Sequence, residues 1–375
     1  MTTGHAEFLS AELPSGRVAH FHWVWLRDSC PCEECRNIHA KQKYFDSATI
    51  PADITASAVR QTADRVEIIW PDGHRSDYPM RWLAEREAQR LARPPAPDGR
   101  IPWTSPAAVA DHRFAYRDIM ADDSMLVAAL DRLFRHGILV IDGQTDADSD
   151  ALCARLAGFV DRSYFGEYFD LETKPDDTTD SISFSTRQLP MHTDIPYYTV
   201  PPDYQFLYGL DINAAATAAT DGRTRFADGL AAAHRLREAD PEAFRVLSTI
   251  PVTYRAEYRA AEKIYENETT IIRTDHNGEV VGLVNNPTKM YFDTVPFEST
   301  IPLYRAYATF KGLLGDEVCY FHSWHPGDMI VFDNRRIFHG RGEFGASGIV
   351  RTLRGGYFSE IELAARARFV AERIS

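Results

Sequence analysis

The chain has 375 residues, 44% of them apolar and 25% charged, and its 41 basic and 54 acidic side chains leave a net charge of −13. That length suits two domains, the composition is that of a globular chain able to bury a core, and the acidic balance argues against a nucleic-acid partner, which needs a basic face. No stretch approaches the roughly 18–20 apolar residues of a membrane span, the N-terminus lacks a charged-then-apolar leader, and five cysteines argue against a disulfide framework, so a cytoplasmic setting without membrane contact is expected.

In chain order, the N-terminal part reads as mostly β. Segment 65–70, RVEIIW, is strand-like and the PDGH after it is a turn. A short helix fits 80–92, with Trp82, Leu83 and Leu91 available for packing. Residues 94–105, PPAPDGRIPWTS, are the clearest punctuation. They place a small domain over 1–95, a linker over 96–114 and a large domain over 115–375. The large domain opens with a helix at 123–136, stopped by Gly137. A buried strand at 138–141 follows, then a helix at 148–160 with Leu152, Leu156 and Phe159 inward. Beyond 180 the pattern changes to short strands at 205–210, 249–254, 270–274, 279–284, 329–333 and 349–358, with helices at 229–247 and 302–314. Many short strands with a few helices outside suggest an antiparallel double-sheet barrel of the jelly-roll type.

Two constellations carry chemistry. Cys30, Cys32 and Cys35 stand in C-P-C-x-x-C, and His74 follows in W-P-D-G-H. Three thiolates and an imidazole make a closed tetrahedral set, the usual structural zinc arrangement, and soft sulfur favours zinc over magnesium or calcium. Free or redox-active thiols are the alternative. Cys153 and Cys319 stand alone and read as small buried apolar residues.

The second constellation is His192-Thr193-Asp194. On a strand, residues i and i+2 share a face, so one imidazole and one carboxylate reach a common metal. His339, just past the apolar run M-I-V-F-D that follows Gly327-Asp328, offers a third ligand. Two histidines and a carboxylate on one face, with open positions opposite, are the arrangement of non-haem Fe(II) oxygenases. Arg351, twelve residues on, can form a bidentate pair with a carboxylate. The set fits a 2-oxo diacid such as 2-oxoglutarate, chelating iron at one end and held by arginine at the other. The remaining histidines have no such context and read as surface or core residues.

At motif level the chain resembles the γ-butyrobetaine hydroxylase and trimethyllysine hydroxylase family of Fe(II)/2-oxoglutarate dioxygenases. The resemblance covers nearly the whole length, through W-L-R-D-S-C-P-C-E-E-C, W-P-D-G-H, H-T-D-I-P, R-F-A-D-G-L, F-D-N-R-R-I-F-H-G-R and R-T-L-R-G-G-Y. It implies an N-terminal zinc domain, a double-stranded β-helix catalytic domain and a homodimer. It also implies His192, Asp194 and His339 as iron ligands, Arg351 and Thr224 as the grip on 2-oxoglutarate, and Cys30, Cys32, Cys35 and His74 as the zinc set. O₂ is the co-reactant and ascorbate a reductant in vitro. Family members acting on betaines hold a trimethylammonium group among aromatic rings. Tyr357 matches one such position, and Phe165, Tyr168 and Phe169 fall near others. Phe184 stands where the family often has Tyr, and Ile195 replaces an aromatic residue. Asn285 and Asn286 match a pair suited to a substrate's polar end. The expected reaction is hydroxylation of an unactivated C–H of a small cationic substrate with release of succinate and CO₂. Desaturation, C–C or C–N cleavage and cyclisation on the same site are alternatives, as is a non-catalytic zinc-stabilised binding protein.

Overall fold

The chain divides into two units, Met1–Asp98 and Gly99–Ser375. The computed structural model describes residues 7–37, 39–40, 42–92, 99–144, 149–172, 182–218, 222–258, 261–343 and 351–374.

In the first unit, Phe8–Glu12 and Val18–His22 form an antiparallel hairpin, and Ala58–Gln61, Arg65–Ile69 and Arg75–Pro79 a three-stranded sheet. Period-two alternation turns Val66, Ile68, Ser76 and Tyr78 inward. Val66, Ile68 and Tyr78 pack with Leu9, Phe21 and Trp23 in one core. The Tyr78 hydroxyl donates to the Leu26 carbonyl and ties that sheet to the helix Trp23–Asp28. The helix expected at 80–92 is Met80–Ala92. The Leu91 side chain and residues 94–98 of the punctuation lie outside the described residues.

The remainder of the expected linker is integral to the second unit. Trp103 is buried. Its indole N–H donates to the His136 carbonyl at 2.9 Å and its backbone N–H to Asp228 Oδ2 at 2.9 Å. An aromatic with two such partners is cheap to bury, so the Pro/Gly composition here marks a tightly held extended segment.

The helix Asp123–His136 is capped by Asp122, whose carboxylate accepts from Ser124 N. Gly137 closes it at φ 77°. The helix expected over 148–160 is shorter, Asp150–Leu156. Residue 148 lies outside the described residues, and Phe159 is beyond the end and 57% exposed rather than inward. The helix expected over 229–247 is two, Gly229–Ala239 and Pro241–Thr249. Pro241 lacks the N–H that would continue the first, and Asp240 caps the second through Ala243 N.

Two sheets form the body. One has six strands in the order Arg113–Ala115, Ile138–Asp142, Met329–Asp333, Tyr204–Ile212, Arg351–Phe358, Phe169–Leu171. The other has four, Tyr320–His322, Thr224–Asp228, Ile337–Arg341 and Leu189–His192. Every pairing is antiparallel except that of the first two strands. Phe226 of the smaller sheet meets Phe332 of the larger at 5.2 Å between ring centroids, so the sheets face one another as in a double-stranded β barrel. Arg336 and Asp228 are fully buried and bonded twice, Nε to Oδ1 at 3.1 Å and Nη2 to Oδ2 at 2.7 Å. Arg336 also donates to the carbonyls of Arg135 and Ile101, each at 2.8 Å. Arg336→Met, which strands the Asp228 carboxylate, is expected to lower the unfolding free energy of this unit by about 3–5 kcal/mol in denaturant titration.

Candidate metal centre and pocket

His192 ends the strand Leu189–His192 and pairs with His339 on Ile337–Arg341. The two imidazoles therefore start as cross-strand neighbours, with ring centroids 4.1 Å apart. Asp194 is not on that strand, contrary to the i, i+2 expectation. It lies just past the strand's end, and two devices bring it back. Asn334 accepts from Asp194 N at 2.7 Å and donates from Nδ2 to Asp194 O at 3.1 Å. Ile195 then takes φ 51°, a left-handed conformation that is costly for a β-branched residue and costs about 1–3 kcal/mol.

Asp194 Oδ1 stands 3.2 Å from His192 Nε2 and 3.7 Å from His339 Nε2. Donors at right angles around an ion with bonds of about 2.1 Å stand roughly 3 Å apart, so the spacing suits one metal. The His192 ring donates from Nδ1 to the Pro190 carbonyl at 2.8 Å. When neutral it thus aims an Nε2 lone pair at Asp194, and two acceptors this close call for a cation between them. Burial, and then the neighbouring His192 ring, pushes His339 down to about 3, keeping its ring neutral. Burial raises the Asp194 carboxyl, but the neighbouring imidazoles and a 2.9 Å bond from the Tyr357 hydroxyl to Oδ2 hold it well below the usual carboxylate range.

The three groups open onto a cavity lined by both sheets, with about 930 Å³ of empty space counted out to its mouth. Arg351 and Thr224 line one end. Arg351 Nη1 donates to the Gly222 carbonyl at 2.6 Å. Thr224 Oγ1 accepts from Trp324 Nε1 at 2.8 Å, which leaves its own O–H to donate. Burial pushes the Arg341 guanidinium down to about 10, and burial with Arg341's charge pushes Arg351 down to about 9. This end is electropositive and suits a carboxylate.

Aromatic rings line the other side. Phe165 and Phe169 lie 5.4 Å apart, Phe169 and Tyr357 5.7 Å, and Phe165 and Tyr258 5.8 Å. Phe184, Ile195 and Asn286 also face the cavity. Tyr168 does not. It packs against Phe206 at 6.2 Å, with the Arg354 guanidinium 5.5 Å over its ring, on the side where the large sheet meets the helices. Asn285 is a brace: fully buried, it donates from Nδ2 to Met191 O at 3.3 Å and accepts from Thr193 N at its carbonyl at 2.6 Å. Tyr197, Tyr258, Lys289 and Gln205 line the cavity as well and were not anticipated. Tyr197 stands three residues past Asp194, directly after H-T-D-I-P, which was the available signal. The others arrive from distant strands and loops.

In the first unit, His74 Nε2 lies 3.3, 3.6 and 3.4 Å from the sulfurs of Cys30, Cys32 and Cys35. Tetrahedral zinc with Zn–S of about 2.3 Å and Zn–N of about 2.0 Å sets S and N about 3.5 Å apart. His74 Nδ1 faces Glu34 at 3.5 Å, the outer partner a metal-bound imidazole uses. Ser76 and Arg27 donate to the sulfurs of Cys30 and Cys35. These four residues and His192, Asp194, His339 are the two clusters of metal-ligating type among the described residues.

The taurine catabolism dioxygenase TauD, TfdA family matches residues 100–357, and the γ-butyrobetaine hydroxylase-like N-terminal family matches residues 5–84. The chain is 32% identical to the γ-butyrobetaine dioxygenase of Pseudomonas sp. (strain AK-1), across 96% of this chain and 93% of that one. It is 28% identical to the Homo sapiens γ-butyrobetaine dioxygenase, across 94% and 91%. It is also 28% identical to the trimethyllysine dioxygenase of Neurospora crassa, across 92% and 79%. Matched over most of its length on both counts, the chain belongs to the TauD, TfdA family of Fe(II)- and 2-oxoglutarate-dependent dioxygenases.

Proposed function

We propose that this dioxygenase hydroxylates an unactivated C–H of a small cationic substrate, a betaine, amine or amino-acid-like compound, with conversion of 2-oxoglutarate to succinate and CO₂. The observation that carries the reading is the layout of one cavity: His192, Asp194 and His339 at its centre, two guanidiniums at one end and a wall of rings at the other. Iron held by the three residues would supply activation of O₂. The protein's own part is placement. Arg351 and Thr224 grip the distal carboxylate of 2-oxoglutarate. Phe165, Phe169, Tyr258 and Tyr357 present ring faces to a cation. The side chains around them fix which carbon faces the metal. Ile195, Phe184 and Asn286 shape the same wall, so the compounds named by the relatives, γ-butyrobetaine and trimethyllysine, head the candidates without exhausting them.

Cys30, Cys32, Cys35 and His74 would fill all four positions of a tetrahedral site, which supports a structural zinc there and leaves the chemistry to the second unit. The test of the reading is succinate release and O₂ uptake with Fe(II), ascorbate, 2-oxoglutarate and a panel of small betaines, amines and amino acids. At least one compound is expected to stimulate both, and a panel without any stimulation would count against a small cationic substrate. A product heavier by one oxygen marks hydroxylation, and one lighter by two hydrogens desaturation. His192→Ala and Asp194→Ala are each expected to abolish substrate-stimulated succinate release with circular dichroism unchanged; turnover surviving in both would remove the assignment. Arg351→Ala should raise the 2-oxoglutarate KM by about 10–100-fold, the worth of a hydrogen bond to a charged group. A strong zinc chelator should unfold the first unit, seen as loss of its tryptophan fluorescence signature, with one zinc released per chain.

A further inference from the structure

The strand Tyr204–Ile212 alternates its two faces. Tyr204, Phe206 and Tyr208 pack toward the helices, while Gln205 and Leu207 line the cavity. Gln205 is therefore an amide on an otherwise apolar inner face, beside Leu207, Phe332 and Leu353. It is 1% exposed, and its Oε1 has no hydrogen-bond partner. A buried polar atom without a partner is uncommon and calls for one, and the residue stands in the wall of a cavity.

The register says which ligand. Gln205 pairs with Tyr357 on one side and Phe332 on the other. Tyr357 holds Asp194, and the Phe332 ring lies 4.8 Å from the His339 ring. Gln205 thus sits on the large sheet between the neighbours of two metal-ligating residues. Leu207 follows two residues along the same face, an advance of about 7 Å, the span of a five-carbon diacid. The same strand runs on to Ile212, opposite Arg351 and roughly 20 Å from Gln205, a distance that the diacid covers only together with the reach of the arginine and glutamine side chains. A diacid laid with its distal carboxylate at Arg351 and its chain over Leu207 and Leu353 brings its 2-oxo acid end next to Gln205. A half-turn about the last side-chain bond exchanges Oε1 for the Nε2–H donor at no change in shape.

We propose that Gln205 is a co-substrate-binding residue that donates a hydrogen bond to the 2-oxo acid end of 2-oxoglutarate. The inference rests on the iron and 2-oxoglutarate reading above and assigns a residue at the end of the co-substrate opposite Arg351. The amide fits because it can donate to the carboxylate without adding a charge that competes with the metal.

The test uses the full chain loaded with Mn(II) and the unreactive mimic N-oxalylglycine, with binding followed by calorimetry, so that no turnover is needed. Gln205→Leu is expected to raise the N-oxalylglycine Kd about tenfold or more, and Gln205→Glu, of the same shape but anionic, to raise it further. The Kd for Mn(II) alone should stay within about twofold in Gln205→Leu, which also shows that the site has folded. An unchanged N-oxalylglycine Kd in Gln205→Leu would overturn the proposal. So would a loss confined to γ-butyrobetaine binding, which would place Gln205 on the substrate instead. If the wild-type protein failed to bind N-oxalylglycine with Mn(II), the co-substrate reading itself would fall, and this one with it.

Discussion

The Arg336–Asp228 ion pair is the interaction on which the large unit depends. Two fully buried charges are expensive to desolvate, and only complete bonding makes them tolerable. Here the guanidinium reaches the carboxylate twice and two carbonyls besides, while Asp228 caps the helix Gly229–Ala239 and accepts from Trp103. Arg336 immediately precedes the strand Ile337–Arg341, which carries His339, and Asp228 ends the strand paired with it. The pair thus fixes the start of one strand against the end of the next, and the imidazole two residues beyond Ile337 inherits that register. Its cost in stability is exchanged for a single arrangement of the smaller sheet.

The cavity separates charge along its length. Guanidiniums gather at one end, the carboxylate of Asp194 stands near the middle, and neutral rings line the side beyond. An anion and a cation entering together are sorted by this field before any specific contact is made. Shape then refines what charge has ordered.

Much of this was legible because the informative residues are close in sequence. C-P-C-x-x-C needs only one turn of backbone to gather three sulfurs, and His74 joins through a hairpin. His192 and Asp194 were recognised as partners, but the reason was only half right. The strand ends at His192, and Asn334 with the left-handed Ile195 completes the convergence. Asn334 lies inside F-D-N-R-R, yet its role depends on contact with a segment 140 residues away in sequence, which no local pattern encodes. Tyr168 was misplaced for a related reason. Phe165 and Phe169 flank it and reach the cavity, but Tyr168 falls on the opposite face just as the strand Phe169–Leu171 begins. The aromatic wall also draws Tyr258 from a different sheet. The helix break at Asp240-Pro241 is readable from proline's missing donor, although the sequence reading runs a single helix over 229–247.

The Tyr357 hydroxyl occupies Asp194 Oδ2, and only Oδ1 is turned toward the imidazoles. A carboxylate engaged in this way has one oxygen left, so a metal held here would meet an aspartate already anchored by a phenol. Arg351 begins the strand that Tyr357 nearly ends. A slide of that one strand would therefore shift the Asp194 carboxylate and the Arg351 guanidinium in a single movement, which makes the two mechanically inseparable.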